Sequence, residues 1–326
     1  MNYKVISSLL GRILLLGAVF LAVPTVLAAF EGGKALTAFL ITEGALLLLG
    51  FLLTRVKAKI SSFYSREGYV IVVLSWVLMS LFGCLPFFLS GAIPDFFNAF
   101  FETVSGFTTT GSTALTDIEV LPRSLLFWRA FTHWIGGMGI LVFMLAITPR
   151  NNARMMHIMK AEVPGPKVDK LVARTRVTAQ ILYGIYIGMT VLETVFLLCG
   201  GQSLFDSLTV TFSTAGTGGF CSYNTSIGHF GSLYVEIVVT VFMFLFSINF
   251  NLFYLILLRQ FGRALKSEEL RVFVFIVLLA VGVITVNLTV GAAAVYQNVG
   301  EALRYSSFQV VSIISTSGFG TADFTT

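Results

Sequence analysis

The chain has 326 residues, of which 56% are hydrophobic and only 11% are charged, and it contains 32 phenylalanines. Soluble domains carry roughly 25% charged residues, so this composition excludes an ordinary soluble domain and indicates an integral membrane protein. The net charge is +5, but no basic stripe interleaved with aromatic residues appears, so we expect no nucleic-acid partner.

Seven apolar runs approach or exceed the roughly 20 residues that a helix needs to cross a bilayer core. They cover residues 7–30, 36–54, 69–91, 124–147, 179–200, 232–258 and 272–295. The first run follows Lys4 and resembles a signal peptide, but it is long, lacks a clear small-residue cleavage site and is followed at once by another run. We therefore expect it to be retained as a span.

The basic residues predict how the spans are oriented. Lysine and arginine cluster in the segments 55–66, 150–176 and 259–271, which the positive-inside rule places in the cytoplasm. With the N-terminus also inside, the chain is predicted to be a multi-pass protein whose other connections face outward. Those connections are 31–35, 92–123, 201–231 and 296–326.

The sequence lacks the usual motifs of metal-binding, nucleotide-binding and catalytic sites. Cys84, Cys199 and Cys221 are far apart and have no histidine at ligand spacing, so neither disulfides nor a zinc site are expected. The chain has no GxxxxGK and no strand-turn-helix GxGxxG, so we expect no nucleotide site within it. Its three histidines are scattered, which disfavours a polytopic membrane enzyme. We therefore expect no enzymatic activity.

Three outward connections each contain an apolar segment too short to span a membrane, followed by Gly, Ser and Thr. They read DFFNAFFETVSGFTTTGS (95–112), SLFDSLTVTFSTAGTGGF (203–220) and ALRYSSFQVVSIISTSGF (302–319). All match S-x-x-x-T-x-G, at Ser105/Thr109/Gly111, Ser213/Thr217/Gly219 and Ser312/Thr316/Gly318. The same register aligns Asn98, Asp206 and Tyr305. This repetition predicts a repeated structural unit.

Each unit is predicted to be an inward-to-outward helix, a re-entrant half-helix, a non-helical strand and a return helix. Irregular backbone at membrane depth is tolerated only where it is buried in protein or lines a watery path. The half-helix would point its negative dipole end inward, and carbonyls of the strand could replace the water shell of an ion. Hydroxyls and carbonyls without carboxylates suit K⁺ better than Ca²⁺ or Mg²⁺. The alternative is that these are ordinary outer loops with good turn chemistry.

The stretches FETVSGFTTTGST, FTHWIGGMGI (131–140), STAGTGGF and STSGFGTADF resemble the TrkH/TrkG membrane subunits of bacterial Trk-type potassium uptake systems, within the Trk/Ktr/HKT superfamily. The resemblance covers essentially the whole chain. The two-span hairpin before the first repeat, together with HWIGGMGI, favours the TrkH branch over the KtrB branch.

This resemblance implies an all-α fold like a potassium channel, with M1–P–M2 repeats around a pseudo-four-fold pore in the bacterial inner membrane. It also implies a homodimer and a cytoplasmic nucleotide-binding ring subunit of the TrkA type. The expected domains are a hairpin (1–66), a first repeat (67–150), a second repeat (151–265) and a third M1–P–filter segment (266–326). The third return helix, which carries the gate in the family, and the fourth repeat have no counterpart here, so we expect an incomplete pore.

The resemblance also implies a selectivity filter, with carbonyls facing the ion and most side chains turned away. Its residues would be Thr109, Thr110, Gly111, Thr217, Gly218, Gly219, Thr316, Ser317 and Gly318. Because each repeat aligns a single glycine, we expect loose discrimination among K⁺, Rb⁺ and Na⁺. Alternative functions are a Na⁺-coupled or poorly selective cation transporter of the Ktr/HKT type, or a secondary transporter with discontinuous helices.

Several polar residues within the apolar segments have two interpretations. The ionisable ones either form ion pairs that brace the pore or take part in ion passage; they are Glu102, Arg129, His133, Glu193, Glu236 and Arg304. Three glycines of the WIGGMG segment are predicted to let helices approach closely; they are Gly136, Gly137 and Gly139. Asn249 and Asn251 face the inner pore or bridge helices. The basic segment 150–176 is either only a topology signal or a partner contact.

Overall fold

The computed structural model describes residues 2–56, 65–139, 175–290 and 296–322, and within these ranges the regular structure is helical, without strands. The α-helices are α1 (Tyr3–Glu31), α2 (Gly33–Thr54), α3 (Ser65–Gly83), α4 (Leu85–Leu89), α5 (Phe96–Phe107), α6 (Arg123–Gly137), α7 (Thr175–Cys199), α8 (Leu204–Ala215), α9 (Leu233–Phe246), α10 (Phe250–Leu257), α11 (Phe261–Leu265), α12 (Glu268–Val290) and α13 (Val299–Ile314). A 3-10 helix covers Ser226–Phe230. The predicted all-α membrane fold is confirmed.

Five helical segments are long and apolar enough to cross a bilayer, judged by length and composition. They are α1, α2, Glu67–Leu89 (α3 continued by α4), the part of α7 from Ala179 to Cys199, and α12. These segments correspond to five of the predicted spans. The run 124–147 begins as α6, and its residues 140–147 lie outside the described ranges, as do 291–295 of the last run.

The predicted span 232–258 is present as two helices, α9 and α10, which are bent by 92° at the residues between them. Polar side chains account for the break. The Ser247 hydroxyl donates to the Met243 carbonyl (2.7 Å), and the Asn249 side chain accepts from the Asn251 N–H (3.0 Å). Asparagine in this position starts a new helix because it satisfies a free backbone donor.

The chain divides into two compact units, Met1–Tyr183 and Gly184–Thr326. In the first, α1 and α2 form a hairpin that turns at Gly32 and Gly33, both with positive φ. The helices approach closely at Gly11, where an added Cβ would lie 2.8 Å from the Gly50 carbonyl oxygen. The short helix α5 packs against α3 and α6.

In the second unit, α8 packs against α9, and α13 packs against α9 and α12. One side of α12 remains uncovered, and its exposed residues are large and apolar: Phe275 is 64% exposed and Leu278 is 66% exposed. Such a surface is unfavourable in water but suits contact with lipid. The four predicted domain ranges stay predictions.

Candidate ion-binding loops

Each of the three predicted half-helices is present as a short helix that begins at a capping residue. The Asp95 side chain accepts from the Asn98 N–H (2.8 Å) before α5, and the Ser203 hydroxyl accepts from the Asp206 N–H (3.1 Å) before α8. Asn298 accepts from the Gly300 N–H (2.9 Å) before α13. These caps satisfy backbone donors that have no partner inside the helix, and they fix where each helix starts.

The residues after these helices form three loops with one backbone pattern. We call residues 108–112 loop 1, 216–220 loop 2 and 315–319 loop 3. In each loop a threonine and the glycine two positions later have positive φ, whereas the residue between them does not. The angles are 54° at Thr109, 55° at Thr217 and 62° at Thr316, and 77° at Gly111, 75° at Gly219 and 72° at Gly318.

Hydrogen bonds at the helix ends support this conformation. The N–H of the threonine donates to the carbonyl three residues earlier in every loop, at 3.1 Å for Thr109, 2.9 Å for Thr217 and 3.0 Å for Thr316. In loops 1 and 2 the N–H of the following residue donates to the backbone carbonyl of the motif serine. These bonds run from Thr110 (2.9 Å) and from Gly218 (3.0 Å). In loop 3 the donor lies one residue later: the Gly318 N–H donates to the Ser312 carbonyl (3.2 Å).

Within the second unit the structure brings loops 2 and 3 together. A Cβ added to Gly219 would lie 1.6 Å from the Ser317 carbonyl oxygen, so only glycine allows this approach. The Thr316 hydroxyl points toward the Thr217 carbonyl oxygen (3.5 Å). Six of the nine predicted filter residues therefore lie in two neighbouring loops, and the other three lie in loop 1 of the first unit.

The segments that follow loop 2 and loop 3 are joined to each other by two further hydrogen bonds. The Gly228 N–H donates to the Gly320 carbonyl (3.2 Å), and the Gly320 N–H donates to the Ser226 hydroxyl (3.2 Å). We call this pair of bonds the outer clasp. It ties the strand that leaves loop 3 to the 3-10 helix that follows loop 2.

Loop 1 is held by a buried ion pair. Glu102 accepts from the Arg129 guanidinium (2.5 Å), and both side chains are almost completely buried. The same carboxylate accepts from the Thr113 hydroxyl and from the Ala114 N–H (3.0 Å). Glu102 therefore connects α5, α6 and the strand that leaves loop 1, which supports the bracing interpretation for this pair of residues.

The other ionisable candidates are Arg304, Glu236, Glu193 and His133. Arg304 donates twice to the Glu236 carboxylate, at 2.6 Å each, so this pair also braces helices. Glu193 is completely buried on α7, yet neither of its oxygens has a hydrogen-bond partner among the described residues. His133 is buried on α6 and interacts with the backbone of Ser105 at the end of α5.

The structure also bears on the predicted roles of the glycines in WIGGMG and of Asn249. A Cβ added to Gly136 would lie 2.3 Å from the Phe107 carbonyl oxygen, so this glycine does allow α6 to approach the end of α5. The Asn249 amide donates to the Glu269 carboxylate at 3.3 Å, which supports a bridge between α10 and α12. The basic segment 150–176 lies almost wholly outside the described residues.

Two features of the loops had no clear signal in the sequence. β-Branched residues with positive φ are outliers, so the left-handed conformation of Thr109, Thr217 and Thr316 could not be anticipated. The Ser312 hydroxyl donates to the Phe319 carbonyl (2.7 Å), whereas the corresponding hydroxyls of Ser105 and Ser213 have no partner in the described part of the chain.

The donor set limits which ion could bind. The loops offer backbone carbonyls and hydroxyls and contain no Asp, Glu, His or Cys. Among the described residues there is no cluster of three or more such side chains that could hold a metal ion. Divalent cations usually recruit carboxylates, so neutral oxygen ligands suit a weakly hydrated monovalent cation.

Comparisons with known proteins give one consistent family. A family model described as TrkH, cation transport protein, matches residues 37–326. The Trk system potassium uptake protein TrkH of Halomonas elongata is 33% identical over 335 residues, which cover 100% of this chain and 68% of that protein. TrkH of Escherichia coli K12 is 34% identical, with 98% and 67% covered.

A solved structure agrees with these relatives. The crystal structure of the potassium transporter TrkH from Vibrio parahaemolyticus matches with a TM-score of 0.84 at 30% identity, covering 99% of this chain and 66% of that chain. The chain thus spans about two thirds of the length of the relatives that it matches.

Proposed function

This chain belongs to the TrkH family of cation transport proteins, and we propose that it forms part of a membrane pathway for potassium uptake. The observation that carries the proposal is the repeated backbone of loops 1, 2 and 3, in which positive φ angles flank a residue of ordinary φ. A strand that alternates in this way can turn successive carbonyls to one side. Rows of carbonyl oxygens are how potassium filters replace the water shell of the ion.

The proposed filter consists of the central three residues of each loop, with the carbonyls facing the ion and most side chains turned away. These residues are Thr109, Thr110, Gly111, Thr217, Gly218, Gly219, Thr316, Ser317 and Gly318. The close approach of Gly219 to Ser317 supports a shared role for loops 2 and 3. That loop 1 contributes to the same pathway is inferred from its matching conformation.

The proposal also covers the partner subunits of the transporter and its location in the membrane. Relatives are named as parts of Trk systems, so we propose that this chain also works with further Trk components, including a cytoplasmic nucleotide-binding ring subunit, and that it forms a homodimer. The basic segments 55–66 and 259–271 support a cytoplasmic N-terminus in the bacterial inner membrane. The proposed activity is transport of K⁺ and involves no chemical reaction.

Growth of a bacterium that lacks its own potassium uptake systems tests this function. The chain is expressed alone and, in parallel, followed by the C-terminal region of a longer TrkH relative, and growth at low potassium is compared with a Gly219→Ala variant of each. We expect rescue by at least one unmodified form and loss of rescue in its variant. Absence of rescue by both forms, with both present in the membrane, would overturn the potassium assignment.

A second candidate function is poorly selective transport of monovalent cations. The single aligned glycine in each loop favours it, because fewer positions are free of steric restriction than in filters with two glycines. Competition of Rb⁺ uptake by K⁺, Na⁺ and Li⁺ separates the two candidates. Preference for K⁺ over Na⁺ supports the potassium pathway, whereas equal competition by K⁺ and Li⁺ contradicts selectivity of any kind.

A further inference from the structure

Tyr223 lies between loop 2 and the 3-10 helix, and its ring contacts two residues of that helix. The rings of Tyr223 and His229 are parallel, with their centroids 3.6 Å apart. Phe230 meets the Tyr223 ring edge-on, at a centroid distance of 5.6 Å. Closely packed rings gain dispersion energy over their whole contact area, so Tyr223 holds the 3-10 helix close to the end of loop 2.

The hydroxyl of Tyr223 reaches back to the start of α8. It donates to the Asp206 carboxylate at 3.0 Å, and the other oxygen of that carboxylate accepts from the Ser203 hydroxyl at 2.6 Å. Ser203 is itself the residue that caps α8. Hydrogen bonds to a carboxylate are stronger than those between neutral groups, so the Tyr223 ring is fixed relative to the helix that carries loop 2.

The 3-10 helix in turn holds the strand that leaves loop 3. Its Ser226 hydroxyl and its Gly228 N–H form the outer clasp with Gly320, the residue directly after loop 3. Contacts therefore run from Asp206 through Tyr223 to the 3-10 helix, and from that helix to the end of loop 3.

The positions that match Asp206 and Tyr223 carry other residues in the first and third repeats. In the register of the S-x-x-x-T-x-G motif they are Asn98 and Leu115 in the first repeat, and Tyr305 and Ala322 in the third. Leucine and alanine have no hydroxyl that could donate to a helix start. This connection is thus specific to the second repeat, whose loop meets loop 3.

We propose that Tyr223 is a positioning residue that keeps loops 2 and 3 in contact by holding the outer clasp in place. Its ring packs against the 3-10 helix, and its hydroxyl fixes that ring to Asp206. Tyr223 acts through the clasp and does not contact the ion. The inference rests on the proposed potassium pathway, because the two loops that it holds together belong to the proposed filter.

Rb⁺ uptake and its competition by K⁺ and Na⁺ test this role in whichever form of the chain rescues growth. Tyr223→Phe removes only the hydroxyl and should reduce the preference for K⁺ over Na⁺ roughly threefold, as expected for loss of one hydrogen bond. Tyr223→Leu also removes the ring contacts and should reduce it roughly tenfold. Tyr234→Phe is the matched control and should keep the preference, because the Tyr234 hydroxyl also donates at 3.0 Å, to the Phe196 carbonyl, and joins α9 to α7 instead of holding the clasp.

Further variants separate positioning from a general loss of stability. Asp206→Asn keeps an oxygen that can accept from the Tyr223 hydroxyl and should retain the preference, whereas Asp206→Ala should reproduce the loss seen in Tyr223→Phe. Ser226→Ala removes one bond of the clasp. Combined with Tyr223→Leu, it should give a loss of preference smaller than the sum of the single losses, since both changes act on the same contact.

Amide hydrogen exchange follows the clasp itself in the purified protein, independently of transport. In Tyr223→Leu the amides of 226–230 and 316–322 should exchange faster than in the unmodified chain, while those of loop 1 should keep their rates. Unchanged exchange in both segments, a normal K⁺ preference in Tyr223→Leu, an equal loss in Tyr234→Phe, loss of preference in Asp206→Asn, or additive losses with Ser226→Ala would each overturn the inference. Absence of uptake by the unmodified protein would instead mark failure of the proposed function, and the exchange rates would still decide whether Tyr223 holds the clasp.

Discussion

Loops 1 and 3 reach nearly the same backbone conformation, but different chemistry fixes the strand that leaves each of them. In loop 1 a buried carboxylate, Glu102, binds Thr113 and Ala114 and is itself paired with Arg129. In loop 3 the Ser312 hydroxyl donates to the Phe319 carbonyl, and the outer clasp holds Gly320 just beyond it. The position that matches Glu102 is Gln309, which carries no charge.

The difference indicates that the conformation of a loop is determined separately from its attachment, by which we mean the contacts that fix the strand leaving the loop. The three loops share the S-x-x-x-T-x-G spacing, and hydrogen bonds within each helix end form the turn. The attachment depends on what the surrounding helices offer. A charged attachment is stronger than a neutral one, but it also leaves a larger defect when one partner is removed.

The largest effect is expected from Glu102→Ala. This variant removes the carboxylate that pairs with Arg129, which is 2% exposed, and should lower the free energy of unfolding by roughly 3–5 kcal/mol. Chemical denaturation of the purified protein in detergent measures this. Glu236→Ala serves as the control, since the Arg304 side chain is 33% exposed and can be hydrated, so its loss should be clearly smaller. Equal losses would contradict the role given to burial.

Loop 2 sharpens the comparison by separating backbone strain from close approach. Gly219→Ala and Gly318→Ala both place alanine at positive φ, but only at Gly219 would the Cβ meet the Ser317 carbonyl, whereas at Gly318 it meets nothing within 4 Å. Gly219→Ala should therefore cost about 1–3 kcal/mol more, the usual cost of overpacking. The same denaturation experiment measures it. Similar losses would mean that the two strands are not in contact.

The smallest effect concerns the hydroxyl attachment. Ser312→Ala should cost about 1–2 kcal/mol, because the Phe319 carbonyl loses its donor in a buried site. Ser105→Ala removes the corresponding hydroxyl of loop 1, which has no partner among the described residues, and should be almost neutral. Thermal unfolding of the two variants side by side decides this, and a cost at Ser105 equal to that at Ser312 would remove the contrast between the loops.

The sequence predicted the glycines of the loops because their steric freedom is a property of the residue itself. It did not predict the conformation of Thr217 or its counterparts, since nothing in a threonine favours positive φ. Polar residues showed a similar division. Glu102 and Glu193 were equivalent candidates in the sequence. Only the rotation and packing of the helices determine that Glu102 meets an arginine, whereas the Glu193 oxygens have no hydrogen-bond partner among the described residues.

The break between α9 and α10 shows why hydropathy alone is insufficient for the fold. The run 232–258 is apolar throughout most of its length, so averaging over a window hides Ser247 and Asn249. These two residues change which backbone groups are satisfied, and one capping asparagine is enough to start a helix in a new direction.

The outer clasp bears on the order in which the loops form during folding. Its bond between Gly320 and Ser226 joins residues 94 apart, whereas the bond between Ala114 and Glu102 joins residues 12 apart. Closing the longer stretch of chain costs about 2 kcal/mol more in entropy. Loop 1 can thus be secured as soon as its own short segment has been synthesised, while the outer clasp beyond loop 3 closes only after the helices between its two halves have assembled.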